Sequence, residues 1–269
     1  MRRSAFVAVT TGALVAGPRA ARAANAGAPF DGRTRIPVVR ARAAGRDLVL
    51  AFDTGSPQST LSQQAAGALG LGGALAGVTV AGTDLRAHPA VAGDLGKWNA
   101  LAGFALDGVL GYEAFRDRVV TLDYRTGRLT FPDALPDGET TTITWLRYDD
   151  RSPQLVTFGD VTVDGFPAVA QLDTMMSKTA VIFETKLPDL AIDNDLRAPS
   201  YEYAGEVLRP GRIGSVRLGT TTLAASVHVY SADARAHVPA TEISLIAGVA
   251  LFARRALTLD FPGARLIVS

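Results

Sequence analysis

Short runs in which apolar and polar residues alternate, separated by turns rich in glycine, dominate the chain from residue 36 onward. Val120, Leu122 and Leu129 mark one such pattern, and Leu257, Leu259 and Leu266 another. A period of two is the signature of a strand with one buried face. The same reading predicts strands over 36–42, 78–85, 142–148, 154–163, 215–218 and 226–230, with 78–85 folding as a hairpin about Ala81-Gly82. Only 62–69 reads as a clear short helix, with a further helical turn at 112–116. The run Gly70-Leu71-Gly72-Gly73 follows that helix and lacks the lysine and spaced glycine of a phosphate loop, so it reads as a helix-ending turn. A mostly β protein is expected.

Self-similarity organises the rest. Residues 115–129 align without gaps with residues 252–266, and seven of the fifteen positions match. Each copy reads as a strand, a turn and a returning strand. Each follows a glycine preceded by two apolar residues, Val109-Leu110-Gly111 and Ile246-Ala247-Gly248, at the same offset of 137 residues. Further upstream, both copies run an apolar strand into Asp-Thr: Leu48 to Phe52 precedes Asp53-Thr54-Gly55-Ser56, and Ala168 to Leu172 precedes Asp173-Thr174-Met175-Met176. There the offset is 120, so the second copy holds 17 more residues between its aspartate and its glycine. An insertion of that size is expected in surface loops, whose closure entropy grows slowly with length. Pro, Asp and Gly cluster over 133–140, which places a lobe junction there and divides the chain into 24–135 and 136–269.

An apolar strand ending in Asp-Thr-Gly-Ser, followed by an apolar-apolar-Gly segment, resembles the aspartic peptidases of the pepsin and retropepsin type. The resemblance extends over nearly the whole mature chain, because the second copy supplies Asp173-Thr174 and Gly248. It implies an all-β, bilobal, pepsin/retropepsin-like acid protease fold with pseudo-two-fold symmetry, and an aspartic endopeptidase activity. Hydrolysing an amide requires a base to activate water and an acid to protonate the carbonyl and the leaving amine. Two carboxyl groups that share a site hold one proton between them and supply both. Asp53 and Asp173 are the expected catalytic pair, with no cofactor and no metal. Thr54 and Thr174 are expected to cross-link the two loops beneath it, Ser56 to support Asp53 from behind, and Gly55, Gly111 and Gly248 to allow close backbone approach. The second copy departs from the family pattern, since Met175 and Met176 replace a glycine and a small residue. Two alternatives therefore stand beside the peptidase: a catalytically inactive peptide-binding protein of the same fold, and a pair completed by Asp53 of a second molecule. Two complete repeats in one chain favour a monomer. No tyrosine lies between Asp53 and Tyr112, so no residue closing over substrate can be named; Trp98 is the aromatic nearest to the 78–85 hairpin.

Composition narrows the picture. Net charge is +1, and no Lys/Arg run interleaved with aromatics occurs, so nucleic acid is not an expected partner. The absence of cysteine removes disulfides, thiol nucleophiles and thiolate metal sites, and no Gly-x-Ser-x-Gly elbow is present. His88, His228 and His237 are scattered and read as core or solvated residues. Residues 1–23 combine Arg2-Arg3, a mildly apolar run and Ala21-Arg22-Ala23, the pattern of a secretory signal. Its paired arginines also suit a twin-arginine route. The apolar run is too short to span a bilayer, so no stable membrane insertion is expected. A secreted or periplasmic protein acting on peptide or unfolded protein is the resulting expectation.

Overall fold

The computed structural model describes residues 27–203, 206–232 and 238–269. The expected leader at 1–23 and His237 lie outside them. The structure is predominantly β, built from two sheets. An eight-stranded sheet takes strands between Val38 and Gly111, and a fourteen-stranded sheet takes the rest, including Val119–Asp123 and Arg128–Thr130 from the first repeat.

Both aspartate strands arise from the same local device. Strands Val38–Ala43 and Arg46–Asp53 pair antiparallel through the two-residue turn Ala44-Gly45, and Leu155–Val163 and Phe166–Asp173 do so through Asp164-Gly165. Both residues of each turn have positive φ, 48° and 76° in the first, 49° and 88° in the second. That geometry matches the right-handed twist of the flanking strands, and glycine adopts it without penalty. The predicted hairpin about Ala81-Gly82 forms in the same way, with Val80 opposite Thr83.

The repeat becomes a symmetry. Val119–Asp123 pairs antiparallel with Ala256–Asp260 so that Thr121 lies opposite Thr258, its own counterpart at offset 137, while Val120 faces Leu259 and Leu122 faces Leu257. The Thr121 and Thr258 hydroxyls are hydrogen bonded at 2.8 Å. A register in which each residue meets its counterpart's mirror position places a two-fold axis between the two threonines. Around that axis, Val120, Leu122, Leu129, Leu257, Leu259 and Leu266 are all fully buried and join one core running through both repeats. Tyr112, Trp145 and Phe261 pack across it, with ring centroids 5.1 to 6.4 Å apart.

The helix predicted at 62–69 forms over Gln63–Leu69, capped by the Ser62 hydroxyl and ended by Gly70 in the left-handed conformation with Leu71 N–H bonded to Ala66 C=O. A second helix, Gly96–Ala102, was not expected. The long insertion in the second repeat also departs from expectation. Its residues lengthen strands rather than loops: Glu206–Leu218 and Thr221–Ala232 are 13 and 12 residues long, where the first repeat has Val78–Val80, Thr83–Asp84 and His88–Gly93. A continuous hairpin satisfies its own backbone groups, which an equally long loop would have to leave to water. Among the described residues no helix is long and apolar enough to cross a membrane.

Candidate functional site

Asp53 and Asp173 end their strands beside the partner glycines: Asp53 pairs in parallel with Gly111, and Asp173 with Gly248. Past each aspartate the chain turns sharply, and its first free N–H returns to the carboxylate. Gly55 N–H donates to Asp53 Oδ1 at 2.7 Å, and Met175 N–H donates to Asp173 Oδ1 at 2.9 Å, joined by Met176 N–H at 3.1 Å.

The threonines fasten the two turns to one another. Thr54 N–H donates to Thr174 Oγ1 at 3.0 Å, and Thr174 N–H donates to Thr54 Oγ1 at 3.1 Å. The hydroxyls then reach across, Thr54 Oγ1 donating to Leu172 C=O at 2.8 Å and Thr174 Oγ1 to Phe52 C=O at 2.7 Å. Both side chains are fully buried. Four reciprocal bonds in a dry environment fix the separation of the carboxylates above them.

That separation is small. A Cβ built on Gly55 would lie 3.0 Å from Asp53 Oδ1, 3.3 Å from Asp173 Cγ and 3.4 Å from Asp173 Oδ1. Both carboxyl groups therefore border one point in space, and no thioether is among the nearest atoms. Asp53 is only 6% exposed and Asp173 only 7%. Burial, and then the charge of Asp173, push Asp53 up to about 7, opposed by the Gly55 N–H, the Trp98 side chain and Lys97. The two groups titrate as a pair.

The methionines of the second turn belong to apolar clusters. Met175 is buried among Ile36, Val38, Ala51, Val109 and Val249, bridging to the first repeat. Met176 belongs to a separate cluster with Leu155, Val181, Phe183, Tyr230 and Ile246, its Cε beside Gly248. Flexible thioethers thus fill two separate cores.

The glycines at 111 and 248 are held by packing. A Cβ on Gly111 would meet Pro57 O at 2.5 Å and Gln58 C at 2.7 Å, and one on Gly248 would strike the Lys178 and Met176 carbonyls. Gly111→Ala and Gly248→Ala should each lower the urea midpoint by an amount worth more than about 2 kcal/mol, because the obstructing atoms are backbone. A midpoint unchanged in both variants would mean that this packing is not what holds the turns.

Ser56 stands differently from expectation. Its hydroxyl donates to Gln58 C=O at 2.9 Å and its carbonyl accepts from Tyr112 N–H, so it supports the turn instead of Asp53. Trp98, on the Gly96–Ala102 helix, stands where its side chain favours the ionised form of Asp53. On the other side stand Tyr148, whose hydroxyl bonds Gln171 Oε1, and Tyr201. Burial first and the Asp173 charge second hold both phenols up, Tyr201 to about 12. Sequence reasoning noted Trp98 only as a nearby aromatic and missed both tyrosines, which come from long-range contacts without a local motif. The 78–85 hairpin packs against Val38–Ala43. His88 is buried, with Nδ1 at 2.9 Å from Arg86 C=O. Among the described residues no cluster of three or more His, Asp or Glu is arranged to hold a metal. The chain matches no known protein-family model and no curated protein.

Proposed function

We propose that this chain is an exported aspartic endopeptidase of the pepsin and retropepsin type, hydrolysing extended peptides with a water held between Asp53 and Asp173. The observation that carries this reading is the convergence of the two buried carboxyl groups on one point beside Gly55, above the reciprocal threonine bonds. At that spacing only one of the pair ionises readily, so one carboxylate is available as base and one carboxylic acid as donor.

In the proposed reaction the ionised carboxyl takes a proton from the water as its oxygen attacks the scissile carbonyl. The protonated carboxyl gives its proton to the carbonyl oxygen, and a tetrahedral diol forms. On collapse, the protonated carboxyl passes its proton to the leaving amine, the ionised carboxylate takes a proton from one hydroxyl of the diol, the C–N bond breaks, and the pair again holds one proton. The N–H groups of Gly55 and Met175 hold one oxygen of each carboxylate, which orients the other toward the water. Peptide would lie extended between the repeats, hydrogen bonded like an added strand.

The pH dependence follows from the raised pKa of Asp53. A shared proton is retained on the acid side of about 7 and lost above it. Cleavage of an unfolded protein by wild type is therefore expected at acidic pH and should fade through about pH 7. Stability carries the same signature with its sign determined by burial. The folded state binds this proton up to about pH 7, while the unfolded chain releases it near 3.8. Stability should then fall as pH rises between those values and level off above, and Asp53→Asn should flatten that slope. Urea midpoints across the range measure it; a slope unchanged in Asp53→Asn would assign the titration elsewhere. If wild type cleaves no member of a broad peptide library from about pH 3 to 7, the peptidase reading fails and the peptide-binding alternative takes its place.

A further inference from the structure

A cavity of about 480 Å³ opens between the two repeats, walled on one side by residues 33–35 and 101–103 and on the other by 177–179, His228, Tyr230 and Ala250. Arg33, Arg35, Lys178 and His228 line it, and no acidic residue does. Two of these basic groups are already answered: Arg33 by Asp31 at 2.7 Å and His228 by Asp195 at 3.4 Å. Among the described residues neither Arg35 nor Lys178 has a salt-bridge partner.

Lys178 is also held in place. Its ammonium lies 5.2 Å from the Tyr201 ring centroid and 5.6 Å from that of Tyr230, so two aromatic faces hold a half-buried cation over the cavity. The same lysine ties the cavity to the carboxyl pair. Its carbonyl packs against Gly248, the residue beside Asp173, and accepts from Ala250 N–H at 3.2 Å.

A cation whose hydration is partly stripped, with a second cation on the facing wall and neither in a salt bridge among the described residues, is suited to an anion from outside. The available anion on a peptide in the cleft is a carboxylate, from an Asp or Glu side chain or from the peptide's own C-terminus. We propose that this cavity is a substrate subsite selecting a carboxylate of the bound peptide, with Arg35 and Lys178 as its specificity-determining residues. The proposal rests on the cleft being a peptide site, as in the reading above, and it assigns that site a substrate class: peptides with an acidic group at a fixed distance from the scissile bond.

The test uses the full chain with unstructured peptides of about ten residues, C-terminally amidated, carrying one Glu or Gln at each position in turn, plus an all-Gln set with a free C-terminus. Cleavage is read with wild type, and binding by fluorescence anisotropy with Asp53→Asn, both near pH 6, where Glu is ionised. At one position Glu should be favoured over Gln roughly tenfold, in kcat/KM and in Kd. Lys178→Met, which keeps the stem over the tyrosines, and Arg35→Gln should each erode that ratio, and Lys178→Glu should turn the preference toward Lys. A preference appearing only in the free-carboxylate set identifies the C-terminus as the group selected. Glu-to-Gln ratios within about twofold everywhere, in both sets, overturn the inference. A binding preference without any cleavage by wild type would leave the subsite standing and overturn the peptidase reading instead.

Discussion

Asp53→Asn and Asp173→Asn should each reduce kcat/KM for peptide cleavage by at least about a thousandfold. Asparagine keeps the shape of the side chain and can still accept from the Gly55 or Met175 N–H. It can neither take the proton of the attacking water nor pass one to the leaving amine. The loss should come without unfolding, because the substitution replaces a buried carboxyl by a neutral group of the same shape; the thermal midpoint near neutral pH should stay level or rise. Each single variant should fall about as far as the double variant, as expected for groups acting as a unit. Full activity in Asp173→Asn would mean that the two repeats of one chain do not complete one site, and would move attention to a second molecule.

The next largest effect belongs to the threonines. Thr54→Val keeps the volume but strands Leu172 C=O and Thr174 N–H, and Thr174→Val strands Phe52 C=O and Thr54 N–H, all in a fully buried place. Each orphaned group costs about 1–3 kcal/mol, so either variant should lose about 2–6 kcal/mol. In a chain of this size that lowers the thermal midpoint by roughly 5–15 °C. Thr→Ser, which keeps the hydroxyl, should recover most of the loss. The Val/Val double variant should cost less than the sum of the singles, since both break one network. Calorimetry measures all of this, and a midpoint within about 2 °C of wild type in Thr54→Val would remove the cross-link from the account.

What could be read in advance follows from how local each signal is. The ungapped repeat at offset 137 was visible as residue identity, and folding turns it into the Thr121–Thr258 self-pairing about a two-fold axis. The Asp-Thr turns were visible as a repeated motif after an apolar strand, and their cross-link as what the family resemblance implies; each turn finds its hydrogen-bond partners in the other. The Gly96–Ala102 helix was not visible: it has seven residues, no side-chain cap and no room for an apolar period, and tertiary packing of Trp98 and Ala102 sustains it. Ser56 was misplaced for a related reason. A serine in a turn can satisfy itself two residues away, and the Gln58 carbonyl is closer to hand than Asp53. The fate of Met175 and Met176 was equally beyond the motif, since whether a thioether fills the site or a core depends on which cavities the rest of the chain leaves. The tyrosines about Asp173 and the basic cavity beside them come from strands that meet only in the fold.

Whether the two carboxyl groups share one proton is read directly by a difference titration. Potentiometric curves of wild type and of the Asp53→Asn/Asp173→Asn double variant are subtracted, so that only protons owed to the pair remain. One proton should leave at low pH, and the second should stay bound until about pH 7. Release of both protons by about pH 5, as from two independent carboxyl groups, would contradict the account.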